Sequence, residues 1–93
     1  MDILCAEIEL HFPDSGSLKE KRMVLKGTKD RLRERFGVSL AELDFQDLWQ
    51  RTLLGIALVS SDANASKAVF QRIRDHLYAD PRIVMLRFDE EWR

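Results

Sequence analysis

The period of the apolar residues switches four times along the chain, and the order of those switches restricts the fold more than any single motif does. Residues 3–12 alternate. Leu4, Ala6, Ile8, Leu10 and Phe12 share one face and Ile3, Cys5, Glu7, Glu9 and His11 the other, as in a strand buried on one side. Pro13 ends the run and Asp14-Ser15-Gly16 reads as a turn. From residue 17 to 36 the period becomes helical, with Leu18, Leu25, Leu32 and Phe36 on one side and Val24 and Thr28 flanking them. Ser17 and Glu20 form a capping box at the start, and Gly37 suits a left-handed C-terminal cap.

Residues 38–44 are a poorer strand: Val38 and Leu40 agree in parity, Ala41 and Leu43 do not, which suggests a bulge or an edge position. After a polar connection, residues 52–61 form the clearest strand, with Leu54, Ile56 and Leu58 inward. Ser60-Ser61-Asp62 offers caps for a second helix over 63–78 that buries Ala65, Val69, Ile73 and Leu77. Asp80-Pro81 stops it, and 83–89 is a last strand with Val84, Leu86 and Phe88 inward.

The order is β-α-β-β-α-β. One central hairpin and two right-handed crossovers favour an α+β ferredoxin-like sandwich, in which two helices cover one face of a four-stranded antiparallel sheet. Ninety-three residues form a single domain over 1–93, because half that length could not bury a core of its own. The composition, 45% hydrophobic and 33% charged, is that of a globular chain rather than a disordered one. A lone cysteine, Cys5, excludes an intrachain disulfide and makes the cytosol the default compartment. No apolar run reaches the ~20 residues of a membrane span. No basic region precedes an apolar stretch near residue 1, so no export signal is read.

Charge is segregated. Between Lys19 and Arg35 there are eight basic residues against three acidic ones, although the whole chain carries −1. Lys19, Arg22, Lys26, Lys29 and Arg33 step by three and four, so they occupy an arc of about 80° on the helix. Such a row suits a phosphodiester backbone. The plainer reading is a solvated face whose Lys and Arg stems shield the flank of the core.

A second candidate is the connection containing Asp44, Gln46, Asp47, Trp49, Gln50 and Arg51. A tryptophan among amides and charges can stack on a base or anchor a partner. Alternatively, Leu48 and Trp49 cap the end of the sheet and the polar residues satisfy a long turn. The outward face of 52–61 is unusually apolar. Leu53, Ala57 and Val59, with Ile83 and Met85 on the neighbouring strand, mark a candidate homodimer face.

Catalytic patterns fare worse. Cys5 and His11 lie about 20 Å apart along one strand and cannot meet as nucleophile and base. His76 has no partner at metal-ligand spacing, so no metal is implied, and no phosphate-cradling or nucleophile-elbow motif implies a cofactor. Glu7 and Glu9 share the open face and are expected to pair with Arg87 across strands. The open face carries no aromatic residue, which argues against the base-stacking mode of RNA-recognition motifs.

The stretches SLKEKR (17–22), SLAELD (39–44), QDLWQR (46–51) and LGIALVSS (54–61) together resemble the YlxP-like family of small bacterial proteins, in the same order and spacing from Leu10 through Trp92. The resemblance implies a ferredoxin-like domain with no catalytic residues to carry over. It also implies a setting near translation, because genes of the family often neighbour those for translation initiation and ribosome maturation factors. The expectation is a non-catalytic binding module that contacts RNA or ribosomal precursors through the basic face of the first helix. The alternatives are a homodimerising interaction domain using the open sheet face, and a small-ligand sensor or enzyme built around 44–51.

Overall fold

The computed structural model describes residues 1–93. Its elements run β1 (Asp2–His11), α1 (Leu18–Phe36), β2 (Ser39–Asp44), β3 (Arg51–Ser60), α2 (Ala63–Tyr78) and β4 (Val84–Trp92). The strands form one antiparallel sheet in the order β2-β3-β1-β4. This is the ferredoxin-like arrangement, with β1 and β3 paired at the centre and β2 and β4 at the edges.

Alternation in β1 drives the core. Leu4, Ala6, Ile8, Leu10 and Phe12 are all buried, and Leu54 and Ile56 of β3 meet them from the neighbouring strand. Each large apolar side chain sealed in this way contributes about 1.5–3 kcal/mol. Leu25 and Leu32 of α1 and Phe70, Ile73 and Leu77 of α2 close the cluster from the helix side, where Phe70 meets Phe88 edge to face at 6.1 Å.

The caps are built from the residues that the sequence offered. Ser17 Oγ accepts from the Glu20 backbone N–H at 3.1 Å, but the Glu20 carboxylate reaches one residue further back than a capping box requires, accepting from Gly16 N–H at 2.7 Å. Gly37 ends α1 in the left-handed region at φ 66, where a side chain would be strained. Asp62 accepts from the N–H groups of Asn64 and Ala65 at the head of α2.

Two expectations shift. In α2 the buried stripe is Ser66, Phe70, Ile73 and Leu77, not Ala65, Val69, Ile73 and Leu77; Ala65 is exposed. In β4 the parity reverses at a bulge: Glu9 pairs with Arg87, but Leu10 pairs with Met85, leaving Leu86 as the extra residue. Phe88 therefore points inward from one side of the bulge and Met85 and Ile83 from the other, while Val84 and Leu86 are exposed. The placement of Ile83 and Met85 on an open dimer face is thereby corrected; both belong to the core side. β2 carries a bulge of its own at Leu43, between Glu42 and Asp44, and lies at the sheet edge.

His76 lies where the helices meet, edge to face with Phe36 at 5.8 Å and 3.5 Å from Arg35 Nη1 through its Nδ1. Burial holds its imidazole below the ordinary value of 6.5, and the charges of Arg35 and Arg31 add to the shift while Asp80 opposes it. As pH falls, the unfolded chain takes up this proton before the folded one. The group's contribution to stability is therefore complete above pH 6.5 and declines below it. Urea unfolding near pH 7 and again at about pH 5 should show the wild type losing more stability over that interval than His76→Gln. Equal losses in the two proteins would refute the assignment.

Candidate functional site

Helix α1 presents a buried stripe and, beside it, the cation row. Its buried stripe contains Lys21, Leu25, Thr28 and Leu32. At about 100° per residue the cation row is centred roughly a quarter-turn away, on the flank that looks toward β2. Lys29 Nζ reaches Glu42 Oε1 on that strand at 2.6 Å, and Arg33 Nη2 donates to the Leu40 carbonyl at 3.2 Å. Lys26 pairs with Asp30 one turn on at 2.8 Å, with its side chain 77% exposed. The hydrogen bond raises the Lys26 pKa and lowers that of Asp30. An i,i+4 pair so exposed is easily exchanged for another anion. Lys19 and Arg22 are exposed and have no carboxylate within ion-pair distance.

The row borders a groove of about 520 Å³ between Arg22, Lys26, Lys29 and Arg33 on one side and Glu42 and Gln46 on the other. Of the five cations, Lys29 is tied into the fold by a half-buried pair. Lys19, Arg22, Lys26 and Arg33 are all exposed, Lys26 within its pair to Asp30 and Arg33 with one guanidinium nitrogen on the Leu40 carbonyl.

The 44–51 connection is shaped by residues that look functional in the sequence. Phe45 adopts a positive φ of 65, a conformation that costs a residue with a bulky side chain about 1–3 kcal/mol. It is held there from several directions. Its carbonyl accepts from Lys21 Nζ at 2.6 Å and from Leu48 N–H at 3.1 Å, its own N–H donates to Asp44 Oδ1 at 2.7 Å, and Arg51 stacks over its ring at 4.6 Å. Arg51 also pairs with Glu9 at 2.8 Å, and Gln50 Nε2 donates to the Pro13 and Ser15 carbonyls at 3.3 and 3.0 Å. Asp44, Gln50 and Arg51 therefore each make contacts that shape this connection.

Gln46, Asp47 and Trp49 point outward, with Trp49 54% exposed, so it does not cap the sheet. Gln46 lies in the groove beside α1, which brings this loop alongside the cation row. The expected pairing of Glu7 and Glu9 with Arg87 is also replaced: Glu9 takes Arg51, and Arg87 turns along its own strand to Asp89 at 2.6 Å.

Residues 3–90 match the family described as "Protein of unknown function (DUF503)". The chain belongs to the DUF503 family. It is 42% identical over 87 residues to "Uncharacterized protein YlxP" of Bacillus subtilis (strain 168), a match covering 94% of this chain and 95% of that one. The YlxP-like resemblance read from the motifs is thus shown over nearly the whole length.

In this DUF503 domain the residue that sequence reading missed is Lys21. It was one more positive charge in a basic run, yet it is 1% exposed and fixes the Phe45 turn. The signal was present in its spacing: positions 18, 21, 25, 28 and 32 continue the core stripe, and only residue type concealed it. Burial pushes the Lys21 ammonium below its ordinary pKa, partly offset by the nearby Glu42 carboxylate. On the sheet face of the DUF503 domain, Leu53 and Ala57 are half-buried and Val59 is exposed. No helix is long and apolar enough to cross a membrane, and no three His, Cys, Asp or Glu side chains group to hold a metal.

Proposed function

We propose that this DUF503 domain is a non-catalytic binding module that holds structured RNA, of the ribosomal-precursor kind, by its phosphate backbone along α1. The observation that carries this reading is the set Lys19, Arg22, Lys26 and Arg33, aligned on one flank of a rigid, doubly capped helix. Lys19 to Arg33 spans about 21 Å of helix axis, long enough to meet successive phosphates. Trp49, exposed on the same loop as Gln46, is available to stack on an unpaired base.

The test is a salt titration. With a ribosomal-RNA hairpin followed by fluorescence anisotropy, four phosphate contacts give a slope of log affinity against log salt near −3.6. Absence of binding at low salt, or a slope shallower than about −1, would reject the backbone-reading role.

A further inference from the structure

The sheet face opposite the helices holds a trough of about 660 Å³ with two different sides. Its floor is small and apolar: Cys5, Ala41, Gly55 and Ala57, with Leu43 leaning in from the β2 bulge. Leu43 Cδ1 comes within 2.9 Å of where a Cβ on Gly55 would stand, so the glycine makes room for that side chain. The wall on the β4 side carries Glu7, Asp89 and Glu91, with Arg93 as its one cation. Glu7 and Asp89 are direct register partners across β1 and β4, an arrangement of like charges that costs a sheet stability. Asp89 pairs with Arg87 at 2.6 Å and Glu91 with Arg93 at 3.3 Å, but these carboxylate side chains are 62% and 65% exposed, so both pairs are open to exchange; Glu7 has no ion-pair partner.

We propose that this trough is a docking site for a cationic amphipathic helix of a partner protein. The apolar stripe of that helix lies on the Cys5–Ala57 floor, and its lysines or arginines fall between Glu7, Asp89 and Glu91. Charge complementarity selects this occupant. Spacing agrees: Asp89 and Glu91 are two residues apart on a strand, about 6.7 Å, close to the 5–6 Å between side chains one turn apart on a helix. Small residues on the floor let the helix backbone approach. A second copy of this chain fits less well. A two-fold axis along the strands sets the β4-side wall over β2, whose open-face residues Ser39, Ala41 and Leu43 carry no cation, and an axis across them sets Glu7 and Asp89 over the same wall of the other copy. The carboxylates would then lose water without gaining a partner. The site is independent of the RNA reading, since α1 lies on the other side of the sheet, and a basic partner is repelled from that side.

The experiment uses the full isotope-labelled chain and two synthetic amphipathic helices with the same Leu/Ala stripe, one flanked by Lys and the other by Glu. The Lys peptide is expected to shift the amides of Cys5, Glu7, Ala41, Gly55 and Ala57 saturably. Glu7→Lys with Asp89→Lys should weaken it at least about tenfold. Glu7→Gln alone should leave the thermal midpoint unchanged or higher, because it removes the like-charge pair. Equal binding of the Glu peptide, shifts confined to other surfaces, or a dimer that already protects these amides without peptide would each overturn the proposal.

Discussion

Lys21→Ala is expected to lower stability by about 3 kcal/mol, comparable to truncating one of the buried leucines of the core. Truncation removes three buried methylenes, each worth about 0.8 kcal/mol, and a charge-assisted hydrogen bond with a net value of about 1.5–3 kcal/mol. Relief of the buried ammonium's desolvation offsets part of that sum. Lys21→Met separates the two contributions. It keeps the stem and leaves the Phe45 carbonyl with Leu48 N–H as its remaining donor, so a loss of about 1 kcal/mol is expected. Urea unfolding measures both, and a Lys21→Ala loss below about 1 kcal/mol would show that the pin carries no weight. Limited proteolysis should also speed up in the 45–49 loop of both variants.

The pH dependence of the Lys21 effect has a definite sign. The folded-state pKa is depressed, so the unfolded chain binds the proton more tightly in the interval below the ordinary value of 10.5. Stability from this group rises with pH through that interval. The wild type should therefore gain on Lys21→Met as pH climbs toward it.

Lys21 also marks where the sequence was legible and where it was not. The alternation of β1, the span of α1 and its Ser17 and Gly37 caps could be read directly, because each depends on local pattern and local backbone chemistry. The α2 stripe could not be read from apolar residues alone. Steps of four from Ala65 to Leu77 drift by about 40° each, whereas the buried set 66, 70, 73 and 77 mixes threes and fours as a 3.6-residue period requires. Ser66 concealed that stripe as Lys21 concealed its own: its buried hydroxyl has no partner, so nothing polar explains the position.

β4 was ambiguous for a different reason. Residues 83–86 are apolar on both parities, so only a bulge, set by pairing with β1, decides which of them enter the core. The candidate site divides the same way. The spacing of the cation row fixed its arc. The commitment of Lys29 to Glu42 and of Arg33 to the Leu40 carbonyl depended on β2 lying alongside, which no helical wheel contains.

That division sets the size of the second large effect. Reversing Lys19, Arg22 and Lys26 to glutamate together is expected to weaken RNA binding about 500-fold at 0.1 M salt, since three lost phosphate contacts at about 0.9 logarithmic unit each remove 2.7 units. The salt slope should flatten from about −3.6 to about −0.9, leaving Arg33 as the remaining contact. All three side chains are exposed, so thermal midpoints should stay close to that of the wild type. Lys29→Gln should behave in the opposite way: it breaks a half-buried pair with Glu42 and lowers stability, while changing the salt slope little. Lys67→Glu with Arg72→Glu, on the exposed side of α2, controls for net charge and should leave affinity nearly intact. If the α2 pair weakened binding as much per charge as the α1 set does, attraction would be diffuse. The aligned row on α1 would then have no specific part in it.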